Sequence, residues 1–406
     1  MKAIDSTTIQ NGYKKALRYL HILSFDENFD SQKIKRFLEN LIPEGRGLED
    51  ILLFNRISKQ KIFGIIKAIG QDTSGGLMFG KNENVGQAIF RPIGENELYE
   101  RLFQIEEKSI TLWDQKQRLS LAGVQEKLPV ILQDTKIGLG DGTLCSTHIM
   151  KFQTKKHAHI VINEFFCMSL AKIIALSVAE VRLHRVKEYP VLLVQRFDRI
   201  YNDNSVKRLH VIDGCQILDL PSAYKYERNF GSSRDVKDIR NGASFSKLFN
   251  TASLCEVPAK AKMLMLQWSI FNLIIGNSDA HGKNFSFFID TWGIRPTPYY
   301  DLICILVYEG IEHDLAMAYG DEFDPNKVFA YQLREFAEDI GINYKLVSQT
   351  IKKVCDATVN ALKKEIIPLQ ELHQEEIEFV KKLTHLIAKR ASDLKNSALE
   401  MANVSW

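Results

Sequence analysis

Between residues 31 and 57 apolar positions recur at helical spacing (Ile34, Phe37, Leu38, Leu41), and Asn40-Leu41-Ile42-Pro43-Glu44-Gly45 breaks the run with proline and glycine. A second helical run covers Lys59 to Ile69 and ends in the glycine-rich stretch Gly70 to Gly80. The first 110 residues therefore read as a small, mostly helical unit. From residue 120 the period changes. Leu128 to Leu132 and Thr147 to Phe152 read as strands, Val161 to Ser177 as a helix, and Val181 to Val186 and Val191 to Phe197 as strands joined by a turn at Glu188-Tyr189-Pro190. Residues 205–406 are predominantly helical, with Met263 to Gly276 as a buried helix and Glu371 to Asn403 as a long amphipathic one. The pattern predicts an α+β protein in three parts: 1–110, a β-rich 111–200 and a helical 201–406.

Composition narrows the class without naming a function. The 406 residues are 45% hydrophobic and 25% charged, the balance of a globular protein, with a net charge of +3. That charge is too small to argue for nucleic-acid binding through bulk electrostatics. The polar N-terminus lacks the apolar segment of a secretory signal, and the Met263–Gly276 stretch is shorter than a bilayer span, so a cytoplasmic protein without membrane attachment is expected. The six cysteines are dispersed without a CxxC pair and read as buried reduced thiols. His157 and His159 form an HxH pair with no ligand cluster beside it, which reads as a strand-edge pair rather than a metal site.

The chemistry concentrates after the buried helix, in Asn277-Ser278-Asp279-Ala280-His281-Gly282-Lys283-Asn284-Phe285. Asp279 and Asn284 have the D-x-x-x-x-N spacing of a protein-kinase catalytic loop, in which the Asp accepts the proton of the attacking hydroxyl and the Asn holds a metal ion at the phosphates. Asp301 follows in Tyr299-Tyr300-Asp301-Leu302-Ile303, an apolar, strand-like context in which a carboxylate is costly unless paired or metal-bound. Upstream, Lys151 lies on a strand pattern and Glu164 on the helix after it, the order of the lysine–glutamate pair that positions nucleotide phosphates in kinases. Two loops compete for the phosphates: Gly138 to Gly142, which reads as a hairpin turn, and Ser120 to Lys127. Spacing does not decide between them.

Taken together, SLAGVQEK (120–127), HIMKF (148–152), INEFFC (162–167), VQRFDR (194–199), DLPSAYKYE (219–227), GNSDAHGKNFSFF (276–288) and YYDLIC (299–304) resemble the HipA family, and NLIPEG (40–45) resembles its N-terminal subdomain. These are serine/threonine kinase toxins of bacterial toxin–antitoxin pairs. The resemblance implies a protein-kinase-like two-lobe fold with a small N-terminal subdomain (1–110), a β-rich N-lobe (111–200) and a mostly helical C-lobe (201–406). It implies ATP and magnesium as cofactors, Asp279 as catalytic base, and Asn284 and Asp301 as metal holders. Nucleotide contacts would come from Ala122, Gly123, Val124, Gln125, Glu126 and Lys127 of the phosphate loop, from Lys151 with Glu164, and from His281, Lys283 and Tyr300. Gln195, Arg196 and Phe197 would be the adenine hinge; the family commonly has an acidic residue where Gln195 stands.

Ser120 matches the serine that family members autophosphorylate, and the family's substrates include aminoacyl-tRNA synthetases. The implied partners are a protein substrate and a HipB-like helix-turn-helix antitoxin, with operator DNA reached only through that complex. A rival expectation is a catalytically weak or inactive corepressor module. It is disfavoured by the intact set Lys151, Asp279, Asn284 and Asp301.

Overall fold

The computed structural model describes residues 30–79, 87–118, 125–202, 205–291 and 293–404. Helices α1 (Ser31–Glu39), α2 (Gly45–Asn55) and α3 (Ile62–Ile69) come first. They are followed by β1 (Ala88–Pro92), α4 (Glu95–Phe103), β2 (Leu112–Trp113), β3 (Lys116–Gln117), β4 (Lys127–Gln133), β5 (Lys136–Gly142) and β6 (His148–Lys151). Next come α5 (Ile160–Ile173), β7 (Val181–Val186), β8 (Tyr189–Gln195), β9 (Arg199–Asn202), β10 (Ser205–Arg208), β11 (Val211–Asp213), α6 (Gly214–Ile217), α7 (Phe245–Asn250) and α8 (Pro258–Ile275). The chain ends with β12 (Ser286–Asp290), β13 (Gly293–Pro296), α9 (Ala330–Asp339), α10 (Tyr344–Ala361) and α11 (Gln374–Glu400). Two compact units result: Met1–Ile162 with Ala179–Ile212 and Phe288–Trp292, and Asn163–Val178 with Asp213–Phe287 and Gly293–Trp406.

The first unit is built on a six-stranded antiparallel sheet of order β1-β5-β4-β6-β8-β7. One face is filled by Leu98, Leu102 and Trp113 with Leu128, Val130, Met150, Val191 and Leu193, which form one apolar cluster. Alternate strand positions point to one face, so this set follows from the period of two. Asp30 caps α1 by accepting from the Gln32 and Lys33 amides, and Phe37, Leu38 and Leu41 are buried as the helical spacing predicts.

Four local readings change. The sequence pattern did not mark β1, which pairs with β5 at the sheet edge. Gly138 to Gly142 is strand, not turn: the turn is Asp134-Thr135, with Asp134 at φ +52°, and the glycines let β1 approach. A Cβ on Gly138 would lie 2.4 Å from the Phe90 ring and 2.6 Å from the Arg91 carbonyl. Likewise the β7–β8 turn is Lys187-Glu188, with Lys187 at φ +53°, so Tyr189 and Pro190 belong to β8. His157 closes a short 3-10 turn and His159 has φ +61°, so the HxH pair is not on a strand edge. No metal-binding group of three or more His, Cys, Asp or Glu occurs among the described residues.

The second unit packs α8 at its centre, with Met265, Leu266, Trp268, Phe271 and Leu273 to Ile275 buried. Phe245 meets Trp268, Tyr319 and Phe336 at 6.3, 4.8 and 5.3 Å between ring centres, and Phe285 meets Trp268 and Phe287 at 5.3 Å each. Such tilted and edge-on pairs favour a fixed arrangement over a loose one. The asparagine inside the apolar run braces the loop after it: Asn272 accepts from Asn277 and donates to the Trp268 carbonyl. No described helix is long and apolar enough to cross a membrane. All six cysteines are free and buried.

Candidate active site

Gly276 ends α8 at φ +71°, a left-handed cap that glycine adopts without a Cβ penalty, and its carbonyl accepts from the Ile305 and Leu306 amides. The loop leaving that cap turns on itself. The Asp279 carbonyl accepts from the His281 amide at 2.8 Å and from Asn284 Nδ2 at 3.3 Å, and the Asn284 amide returns to the His281 carbonyl at 2.9 Å. Asn277 Nδ2 bridges Asn272 Oδ1 (2.8 Å) and the Asp301 carbonyl (3.2 Å), tying Asp301 to the 277–284 loop. Asp301 itself has φ +53°, so its context is a sharp bend and not the strand its neighbours suggested.

Asn284, Lys283 and His281 are buried, while Asp279 and Asp301 are partly exposed. The Tyr300 hydroxyl donates to the Lys283 carbonyl at 2.6 Å and shares a 2.5 Å hydrogen bond with Ser286, and burial pushes its phenol well above the ordinary range. It therefore braces the loop as a neutral donor.

The block 224–227 runs beside this loop. Gly282 donates to the Lys225 carbonyl at 2.9 Å, and Ala243 and Gly242 donate to Tyr224 and Glu227 at 2.9 and 3.2 Å. Buried Glu227 accepts from Arg240 Nε at 2.7 Å and from the Ala318 amide at 2.8 Å. Glycine is required at both contacts. A Cβ at Gly282 would sit 2.5 Å from Ala243 Cβ, and one at Gly242 would sit 1.8 Å from the Tyr226 carbonyl. Tyr226 donates to Asp279 Oδ1 at 2.6 Å and stacks edge-on against His281, centres 5.2 Å apart. Sequence reasoning quoted this block and assigned Tyr226 nothing. Its signal was a tyrosine between charged residues, which becomes meaningful only when its hydroxyl is located.

In the first unit, β4 and β6 are registered so that Lys127 lies directly opposite Lys151, both 7% exposed. Phe152 donates to the Glu126 carbonyl at 2.9 Å and Gln125 Nε2 to the Phe152 carbonyl at 3.2 Å, so the end of the 120–127 segment is fixed against the lysine strand. Glu126 stands 3.8 Å from Arg46, and burial raises its carboxyl. At residues 195–197, the expected hinge, the amides of Gln195 and Arg196 donate to the Glu180 and Thr147 carbonyls at 2.8 and 2.9 Å. Neither N–H is therefore left to face a ligand, and the hinge would contact one through its carbonyls or through Phe197.

Glu164 is buried on α5, in the second unit. Ser120, Ala122, Gly123 and Val124 lie outside the described residues.

With this geometry in hand, comparison with known proteins is informative. Residues 119–362 match the HipA-like C-terminal domain and residues 7–80 the HipA N-terminal domain. The chain is 43% identical over 361 residues to a protein of Shewanella oneidensis named serine/threonine-protein kinase toxin HipA, covering 88% of this chain and 83% of that one. The chain belongs to the HipA family. A second relative, a putative kinase of Sinorhizobium fredii, is 29% identical over 355 residues, 86% of this chain and 82% of its own. Among solved structures, the complex of Shewanella oneidensis HipA, HipB and operator DNA contains a chain that superposes with a TM-score of 0.84 at 40% identity, covering 94% of this chain and 90% of that one. The α+β fold is thus the HipA fold, and the enzyme class is that of a HipA serine/threonine kinase.

Proposed function

We propose that this HipA-family chain is an ATP- and magnesium-dependent protein serine/threonine kinase acting as a growth-arrest toxin. The observation that carries the reading is the Asp279–Asn284 loop, in which Asn284 Nδ2 donates to the Asp279 backbone carbonyl and Asn277 Nδ2 ties the Asp301 backbone carbonyl to the same loop. Asp279 would take the proton of the acceptor hydroxyl. Lys127 and Lys151, buried at facing positions of β4 and β6, would be the lysines that contact the nucleotide phosphates. Gln125 and Glu126 hold the end of the phosphate loop, and Gln195 to Phe197 form the hinge edge.

The donor set suits magnesium. Asn284 and Asp301 offer hard oxygens, and magnesium keeps several waters and takes one or two carboxylates together with substrate phosphates. When bound there it would neutralise charge developing on the transferred phosphoryl group.

In this reading the acceptor is a serine or threonine of a translation component such as an aminoacyl-tRNA synthetase, and Ser120 is a self-modification site that silences the kinase. The partner is a HipB-like helix-turn-helix antitoxin, with operator DNA reached only through that complex; the likeness to the Shewanella HipA–HipB–DNA assembly supports it. The preserved base and metal set favours catalysis over a purely corepressing role.

Intact-mass spectrometry of the phosphatase-treated chain after incubation with ATP and magnesium tests the reading. One added phosphate, mapped to Ser120 and absent without magnesium, is expected; a chain that gains nothing and releases no phosphate from ATP would refute kinase activity. Asp301→Asn is expected to weaken magnesium-dependent ATP binding on the order of tenfold while leaving magnesium-free binding unchanged, as read by titration calorimetry. Equal affinity with the ion present would remove Asp301 from the metal site.

A further inference from the structure

We infer that Tyr226 is a positioning residue that sets the orientation of the Asp279 carboxylate for proton acceptance. The inference rests on the kinase reading above and adds a residue to it. Three observations converge. The Tyr226 hydroxyl donates to Asp279 Oδ1 at 2.6 Å, whereas Oδ2 takes no hydrogen bond among the described residues. The tyrosine ring is itself fixed, edge-on against His281 with an interplanar angle of 83°. Its backbone is held on two sides, by the Gly282 amide on the Lys225 carbonyl and by Gly242, whose missing Cβ leaves the Tyr226 carbonyl its place.

The terminal torsion of an aspartate is broad and roughly two-fold, so the backbone of the 277–284 loop alone leaves the carboxylate plane poorly defined. A short hydrogen bond to one oxygen selects one plane and presents the other oxygen to the acceptor. In the transfer step the acceptor hydroxyl gives its proton to that second oxygen of Asp279. Its own oxygen bonds to the γ-phosphorus, and the bond from phosphorus to the bridging oxygen of the departing ADP breaks. In this step Tyr226 keeps its proton and acts through Asp279, which separates it from a catalytic residue. Positioning of this kind matters because a displacement of about 1 Å at a reacting group can cost on the order of 100-fold in rate.

The test uses the full-length, phosphatase-treated chain as wild type, Tyr226→Phe, Tyr226→Leu and Asp279→Ala, with ATP and magnesium as the probe. Three quantities are read: the rate of phosphate incorporation or release at saturating ATP, the ATP affinity by calorimetry, and the melting temperature. Tyr226→Phe keeps the ring against His281 and removes only the donor. It is expected to lower the rate on the order of 10- to 100-fold, the value of a hydrogen bond to a charged group, with ATP affinity within twofold of wild type.

A Phe variant as fast as wild type overturns the inference, and so does a loss seen only in Tyr226→Leu, which would assign the effect to ring packing. A faster Phe variant overturns it too, because the hydroxyl would then be restraining the base. The kinase reading fails separately, if Asp279→Ala retains the wild-type rate.

Discussion

Asp279→Ala is expected to lower phosphoryl transfer by roughly 100- to 10,000-fold while ATP binding stays near the wild-type value. The magnitude follows from general-base catalysis, worth roughly 100- to 10,000-fold, applied at a step where the chain has no other carboxylate on the same turn. The selectivity follows from timing: the proton leaves the acceptor only as the transition state forms, so removing the base raises the barrier without touching ground-state nucleotide contacts. In the proposed reading those contacts lie elsewhere, on Lys127 and Lys151 of the first unit. Because the substitution leaves the Tyr226 hydroxyl without its acceptor, Asp279→Asn is the companion variant, since its amide oxygen can still accept. Radiolabelled phosphate incorporation and calorimetry on both variants check the expectation. Wild-type turnover in either one would end the assignment of Asp279 as base.

Asp198→Ala is expected to cost the first unit on the order of 3–5 kcal/mol. Asp198 is buried and accepts from Arg196 Nε and Nη2 at 3.0 and 2.8 Å, from Arg199 Nη1 at 2.8 Å and from the Gly75 amide at 2.7 Å. Both guanidiniums also donate to the Thr73 carbonyl, and Asp72 reaches Arg196 and Arg199 at 3.4 and 3.2 Å. Removing Asp198 leaves two buried cations sharing Asp72, and an unpaired buried charge is what makes breaking such a network expensive. Gly75, at φ +76°, has no room for a side chain, since a Cβ would lie 2.7 Å from the Val211 carbonyl. The turn therefore has no easy way to relax around the lost carboxylate. Thermal unfolding should show a fall of roughly 10 °C in the transition of this unit, at ~2–4 °C per kcal/mol. A shift under ~2 °C would mean that solvent already compensates these charges.

The same network carries an acid dependence. Burial acts to raise the Asp72 carboxyl, but Arg196, Arg199 and Arg208 together overcome it and hold the group at about 2. Asp198 is lowered in the same way, against its burial, by Arg196 and Arg199. A carboxyl lowered on folding contributes stability that is complete above its unfolded value of about 3.9 and is lost as pH falls through the folded one. Wild type should therefore lose stability between about pH 4 and pH 2 more steeply than Asp198→Ala, with the two melting curves converging at the acid end.

How much of this was legible in the sequence varies with the range of the interaction. The helices at 31–39 and 62–69, the strands around 130, 150 and 193, and the central buried helix were visible, because each is set by a local period of apolar positions, whereas 45–55 was not separated as a helix of its own. The β7–β8 turn moved for a local reason, Lys187 at φ +53°, whereas two other readings changed where a partner distant in sequence intervened. Gly138 to Gly142 has turn composition, yet it is strand because Phe90 and Arg91 of β1 lie against it. Asp301 sits in strand-like sequence, yet it bends because Asn277 holds its carbonyl.

By itself the sequence determined the family: the spacing of Asp279 and Asn284, Lys151, Asp301, and the ordered blocks by which it resembles HipA kinases. These are properties of residue identity and short spacing. The tertiary structure decided which residues meet. It placed Lys127 opposite Lys151 through strand register, set Tyr226 on Asp279 across 53 positions, and joined Asp72 to Arg196 across 124. Register and long-range hydrogen bonds depend on how whole elements pack. No local period encodes them, so the hydrogen bond on Asp279 and the buried charge network became readable only once the chain was folded.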